Sequence, residues 1–144
     1  MVDSKRLFFD TNFWLRYFVR DNEEQYQSSY KIIEAVENGT CLPFTSAIVF
    51  LEINYVLSSF YKLKSDKINK YFDLIINLRN LTIINKTNLD KSLKMHNKYH
   101  IKLSDCLIAT SVPKNTLLIS WDKDFKKVSE VNNIIPENFI KNNL

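Results

Sequence analysis

Short apolar runs alternate along the chain with longer segments whose apolar residues recur every three or four positions, a rhythm of strands separated by helices. Arg6-Leu7-Phe8-Phe9 stops at Asp10 and reads as a buried strand. Phe13, Trp14, Tyr17 and Phe18 then follow at helical spacing. A second periodic segment from Glu23 places Tyr26, Tyr30, Ile33 and Val36 together until Gly39 ends it as a C-terminal cap, so these two helices form a hairpin. Thr40-Cys41-Leu42 reads as a brief strand ended by Pro43, and Thr45 or Ser46 caps a long helix reaching about Tyr61. Further helices are predicted from Ser65 to Arg79, Asn88 to Tyr99 and Ser104 to Val112. The remaining strands are Leu81-Thr82-Ile83-Ile84, Thr116 to Ser120 and a short Ile134-Ile135. Strands joined through helices require a parallel sheet, here of four to five strands in an α/β domain. No repeat, low-complexity tract or linker interrupts the pattern, and 144 residues suit a single domain spanning 1–144.

Composition narrows the chemistry. The chain is 45% hydrophobic, 25% charged and 13% aromatic, as expected of a chain that folds around its own core. Gly39 is the only glycine, which excludes Walker loops, dinucleotide fingerprints and Gly-x-Ser-x-Gly elbows, since each needs several glycines close to a phosphate or in a tight turn. Cys41 and Cys106 stand far apart and form no Cys-x-x-Cys pair, which argues against zinc and suits a reducing cytoplasm. The longest uncharged stretch, Asn38 to Leu51, has 14 residues and is too short to cross a bilayer, so neither secretion nor a membrane span is expected. The net charge is +4. Between Asp90 and Lys127 eight lysines face four acids, so the whole excess lies in that segment. Such a bias fits a polyanionic partner and fits a solvated surface equally well.

Four acids carry the functional signal. In parallel sheets, sites form beyond the carboxyl ends of the strands, where Asp10 ends the first strand and Asp122 follows the Thr116 to Ser120 strand. Either alone reads as a turn or capping aspartate. Glu52 is the only charge between Phe44 and Tyr61, in a helix apolar on nearly every side and therefore expected to be buried. A carboxylate there calls for a proton, a basic partner or a metal. Asp105 opens the helix that begins at Ser104, where the helix dipole also suits an acid, and Asp124 competes with Asp122 for the inward position. Converging carboxylates make a site for hard divalent ions such as Mg²⁺ or Mn²⁺, which activate water near neutral pH and offset the charge of a phosphodiester.

Phe8-Phe9-Asp10-Thr11-Asn12, Thr45-Ser46 leading to Glu52-Ile53-x-x-Val56-Leu57, Ser104 to Thr110, and Leu118 to Phe125 together resemble the PIN-domain ribonucleases, especially VapC-type toxins of toxin–antitoxin pairs. The resemblance spans nearly the whole chain. It implies a three-layer PIN-like domain acting as a Mg²⁺- or Mn²⁺-dependent endoribonuclease on single-stranded RNA, leaving 5′-phosphate and 3′-hydroxyl ends. Asp10, Glu52, Asp105 and Asp122 fall on the family's acidic metal positions, and Asn12 on a polar position that helps hold the first acid. Ser120-Trp121 departs from the usual threonine and smaller polar residue, though serine keeps the hydroxyl. The resemblance further implies a homodimer and a cognate antitoxin.

Other signals rank lower. His96 and His100 lack the glutamate of a His-Glu-x-x-His site and read as a solvated helix face. Trp121 and Phe125 are open to base stacking or to the core, while the apolar neighbours of Trp14 place it in the core. Lys123, Lys126 and Lys127 stand closest in sequence to Asp122 and are the expected RNA contacts. The aromatic first two helices and the Ser65 to Arg79 helix offer spare apolar surface for a dimer or antitoxin face. Competing readings are an inert PIN-like RNA- or protein-binding module and a housekeeping PIN nuclease. An aspartyl-phosphate phosphatase would want Asp-x-Asp where Asp10-Thr11-Asn12 stands, and a receiver domain an acid at Asn85.

Overall fold

The computed structural model describes residues 4–144. The elements run β1 (Lys5–Phe9), α1 (Thr11–Phe18), α2 (Glu23–Glu37), β2 (Cys41–Ser46), α3 (Ala47–Ser59), α4 (Ser65–Ile76), β3 (Thr82–Ile84), α5 (Leu89–Tyr99), α6 (Leu103–Ser111), β4 (Leu117–Ile119), a 3-10 turn (Lys123–Lys127), β5 (Asn133–Ile134) and α7 (Pro136–Asn143). The sheet has the order β3-β2-β1-β4-β5, and every pairing is parallel. β1 is the central strand. Its Leu7, Phe8 and Phe9 are fully buried, as a strand covered on both faces by crossover helices must be. Phe8 lies opposite Phe44 of β2 and Leu118 of β4, which fixes the register around the middle of the sheet. The chain winds outward from β1 to β2 to β3, then jumps back across β1 to β4. That reversal makes a switch point between the carboxyl ends of β1 and β4.

The structure departs from the sequence expectations at three places. Pro43 does not end β2, which continues to Ser46; Pro43 pairs with Leu7 on the β1 side, and the ladder to β3 begins only at Phe44, so on that flank the missing N–H has no partner to lose. The helix α7 is absent from the sequence reading, because eight residues with only Pro136 and Phe139 buried give too short a period to read. The third concerns α3, which is not buried all round. Val49, Ile53 and Leu57 form its inward stripe at four-residue spacing, while Leu51 and Tyr55 are 68% and 69% exposed. Its outer face is apolar without being covered. Ser46 stands at its N-cap position but makes no capping bond, and its buried hydroxyl has no hydrogen-bond partner among the described residues.

Below the switch point the packing is aromatic. Phe9 stacks on Phe13 with centroids 4.3 Å apart, and Phe18 stacks on Tyr71 at 4.4 Å, joining α1 to α4. Thr45 ties β2 to the end of β1: its hydroxyl donates to the Phe9 carbonyl at 2.9 Å and accepts the Trp14 indole N–H at 3.4 Å. At the far end of α2, Gly39 takes the left-handed conformation (φ 86°) that closes the helix, as its position predicts. The carboxyl end of β1 is therefore held by Phe13 of α1, Thr45 of β2 and the pairing of Phe9 with Ile119 of β4 before any charged residue enters.

Candidate metal centre

β1 delivers Asp10 to the switch point, where it caps α1. Its Oδ1 accepts the Phe13 amide at 3.1 Å, and its Oδ2 accepts the Ser120 hydroxyl at 2.6 Å. Ser120, just past β4, in turn accepts the Asp122 amide at 2.9 Å, and Asp122 Oδ1 accepts the Asp124 amide at 2.9 Å. A continuous hydrogen-bond chain thus runs from the end of β1 across the loop after β4. Asp10 is nevertheless almost wholly buried, and burial pushes its carboxyl up to about 7. The bonds from Ser120 and Phe13 pull the other way, while the charges of Asp122 and Asp105 add to the rise.

The facing wall comes from helices. Asp105 lies in the first turn of α6, buried, and its Oδ2 has no hydrogen-bond partner among the described residues. Burial first, then the charges of Asp122 and Glu52, lift its carboxyl to about 7, with Lys102 opposing and Asp124 adding a little. Glu52 projects from α3 and accepts the Thr11 hydroxyl at 2.6 Å. Asp10, Thr11, Asn12, Leu15, Glu52, Val56, Lys102, Asp105, Ile108 and Asp122 enclose a pocket of about 100 Å³. Asp105, Asp122 and Asp124 each bring a carboxylate oxygen within 4.8 Å of the others.

All five acids picked from the sequence meet here, with unequal roles. Asp122 lines the pocket together with Asp10, Glu52 and Asp105, whereas Asp124 stands at its edge with Lys127 Nζ 3.5 Å away. Asn12 lines the pocket, but the bonds that hold Asp10 come from Ser120 and Phe13 instead. Trp121 is half-buried and already engaged within the fold: its indole N–H donates to Glu137 of α7 at 2.9 Å and its ring lies parallel to Phe13. Phe125 and Trp14 are core residues. Lys123, Lys126 and Lys127 are exposed on the 3-10 turn beside Asp122. His96 and His100 do not share a helix face, because α5 ends at Tyr99 and His100 turns left-handed (φ 56°), while His96 Nδ1 lies 2.6 Å from the Ile101 carbonyl.

Two polar pocket residues are not marked by the sequence. Thr11 directly follows the first acid, and Lys102 sits three residues before Asp105, a spacing that returns to the same side at a helix start. Both positions are visible in the sequence, but nothing in it marks their direction.

The donor set fits a divalent cation of the Mg²⁺ or Mn²⁺ type. Every candidate ligand is a carboxylate oxygen, and one of them, Asp105 Oδ2, is buried with no hydrogen-bond partner among the described residues. A buried acceptor of that kind is costly unless a proton or a cation meets it.

Residues 7–131 match the PIN domain. No curated protein matches the chain. Among solved structures, it is similar to VapBC2 from Rickettsia felis bound to a DNA fragment from its promoter, with a TM-score of 0.67 and 17% identity, covering 90% of this chain and 97% of that one. VapBC-1 from nontypeable Haemophilus influenzae gives a TM-score of 0.63 at 16% identity, covering 91% and 98%. A toxin–antitoxin complex from Klebsiella pneumoniae gives 0.58 at 20% identity, covering 90% and 97%. At these identities the likeness is one of fold.

Proposed function

The chain belongs to the PIN-domain family, and from that premise we propose that it is an endoribonuclease that cleaves single-stranded RNA with Mg²⁺ or Mn²⁺ as the toxin of a toxin–antitoxin pair. The observation that carries this reading is the convergence of Asp10, Glu52, Asp105 and Asp122 on one small pocket at the switch point, with Asp105 Oδ2 lacking a hydrogen-bond partner among the described residues. Asp10, Glu52, Asp105 and Asp122 would hold the ion, with Asp124 at the edge. A divalent ion bound there supplies Lewis acidity toward a phosphodiester and lowers the pKa of water.

The protein's own groups prepare that chemistry. Ser120 and the Phe13 amide fix both oxygens of Asp10, so this carboxylate is aimed before anything binds. The Asp122 amide is held by Ser120, which sets the position of that acid from the same hydroxyl. Burial pushes the Asp10 and Asp105 carboxyls up to about 7, so each is partly protonated at neutral pH without an ion, and a cation's charge would displace those protons. Leu15, Val56 and Ile108 give the pocket an apolar lining that limits bulk water. Lys102 at the mouth, with Lys123, Lys126 and Lys127 on the adjoining turn, offers cations to an RNA backbone.

A cognate antitoxin is the proposed protein partner, because two of the similar structures are the Haemophilus VapBC-1 and the Klebsiella toxin–antitoxin complex. A homodimer is proposed as well, since α3 and α4 expose Leu51, Tyr55, Leu74 and Ile76 to solvent. The cytoplasm is the proposed setting; no helix among the described residues is long and apolar enough to cross a membrane. The direct test is cleavage of a labelled single-stranded RNA by the purified chain. Cleavage with Mg²⁺ or Mn²⁺ that stops with chelator and with Asp10→Asn is expected. RNA binding without cleavage under any divalent ion would make it an inert module, and cleavage without growth arrest on expression would make it a housekeeping nuclease.

A further inference from the structure

Glu52 comes from the middle of α3 and reaches the pocket on a side chain with three rotatable bonds, the most mobile of the acids there. Among the described residues one hydrogen bond reaches its carboxylate, the Thr11 Oγ1–H to Glu52 Oε1 at 2.6 Å. Glu52 also borders two spaces. It lines the acid pocket of about 100 Å³, and it lines an outer groove of about 610 Å³ together with Leu51, Tyr55 and Lys102. Lys102 itself borders both, so its ammonium can attract a Glu52 that swings outward.

Thr11 is suited to decide between them. It occupies the first helical position of α1, one residue after the Asp10 cap, and the cap's work is already done by Asp10. Its hydroxyl therefore has no local duty and bonds to α3 instead. Its β-branched side chain has few rotamers, so a stiff, short donor restrains a long, mobile acceptor. The bond occupies one oxygen, and no hydrogen bond from the described residues reaches Glu52 Oε2.

We propose that Thr11 is the positioning residue for Glu52, holding its carboxylate on the acid-pocket side and away from the outer groove, so that the dipeptide Asp10-Thr11 sets two of the four pocket acids at once. The inference rests on the reading of these acids as cation ligands. Loss of the hydroxyl weakens ion binding through Glu52 alone, at the scale of about 10–100-fold typical of partners that orient a metal ligand.

The test is a calorimetric Mn²⁺ titration of the full chain, comparing the parent with Thr11→Val, Thr11→Ser, Glu52→Ala and the Thr11→Val/Glu52→Ala double variant, each checked for folding by its melting curve without metal. Thr11→Val is expected to weaken Mn²⁺ binding about 10-fold or more, Thr11→Ser, which keeps the donor without the branch, to bind close to the parent and tighter than Thr11→Val, and Thr11→Val to have no further effect once Glu52 is alanine. Parental affinity in Thr11→Val overturns the proposal. So does an equal loss in the Glu52→Ala background, which would mean a general structural role. Should Thr11→Val fail to fold, Thr11→Ala is read against the same three outcomes. A parent chain that binds no Mn²⁺ removes the metal reading itself, a result distinct from a parent that binds and a Thr11 variant that binds equally well.

Discussion

The two walls of the acid pocket are built on opposite terms. On the sheet side, Asp10 has both oxygens bonded, one by an amide and one by a hydroxyl, and it caps a helix, so it has structural reasons to be where it is. On the helix side, Asp105 is also buried, carries a bare oxygen and faces the charges of Asp122 and Glu52. Both carboxyls are pushed up to about 7, but only the first is compensated by donors. The energetic cost of the site therefore lies mainly on the helix side. A carboxylate that is already bonded can serve the fold and the chemistry together, whereas an uncompensated one lowers the stability of the ion-free chain and is relieved only by a proton or a cation.

Neutralising each wall separately puts that contrast at greatest risk. Asp10→Asn and Asp105→Asn should each lower metal-dependent RNA cleavage at least about 100-fold, since partners one step removed from a metal already account for about 10–100-fold. Their stabilities should part. Asp105→Asn removes a charge from a repulsive cluster and should raise the ion-free melting temperature at pH 7.5 by about 2–4 °C, the shift that about 1 kcal/mol produces in a chain of this size. Asp10→Asn should not raise it. Thermal melts beside a cleavage assay check both statements, and equal stabilisation by the two variants would erase the distinction between the walls.

The pH dependence of stability follows next. Asp10 and Asp105 are raised from 3.8 to about 7, so between those values the folded chain holds protons that the unfolded chain has released. Stability from these groups is therefore fullest below about pH 4 and falls as pH rises toward 7. Glu23, Asp21 and Glu130 are shifted down by hydrogen bonds and ion pairing, and their opposite slope acts only at more acidic pH. Without divalent ions the melting temperature should thus be higher at pH 5.5 than at pH 8. Saturating Mg²⁺ or Mn²⁺ should raise it at pH 8 far more than at pH 5.5, because ions and protons compete for the same oxygens.

Ser120 tests the compensated wall on its own. Ser120→Ala removes a donor to buried Asp10 and an acceptor for the Asp122 amide, and should cost about 1.5–3 kcal/mol in urea unfolding at pH 7, the range for hydrogen bonds to charged groups. It should also carry the Asp10 carboxyl still higher, since Ser120 is the main influence holding it down. The smallest effect is expected at the rim. Changing Lys126 and Lys127 to glutamine in an Asp10→Asn background should weaken RNA binding about equally across sequences and flatten its dependence on log salt by about 0.7 for each phosphate no longer neutralised. An unchanged slope would move the RNA path away from the 3-10 turn.

Much of the fold is legible in the sequence because secondary structure is written in local periods. The Phe8-Phe9 run and its stop at Asp10, the α2 stripe with Gly39 behind it, and the strand before Ser120 all lie where the pattern puts them. Sequence and structure part where the outcome depends on neighbours. The apolar composition of α3 points to burial, yet whether Leu51 and Tyr55 are covered depends on what is packed against them. Trp121 stands in a polar stretch beside the acids, open to a base as far as its neighbours in sequence tell, but α7, too short to read from its eight residues, brings Glu137 to its indole nitrogen.

Composition and spacing over a few residues are enough to commit this chain to a parallel α/β sheet, to close glycine-loop chemistry to it, and to stand acids at Asp10 and Asp122 where strands give way to turns. These properties survive whatever the rest of the chain does. Packing was needed to bring Glu52 and Asp105 from two different helices into the same 100 Å³, to face Asp122 inward while Asp124 stands at the edge beside Lys127, and to bond Thr11 across 41 residues to α3. Those outcomes depend on the direction of side chains carried by separate elements, and crossovers tens of residues long set that direction through contacts that no local period records.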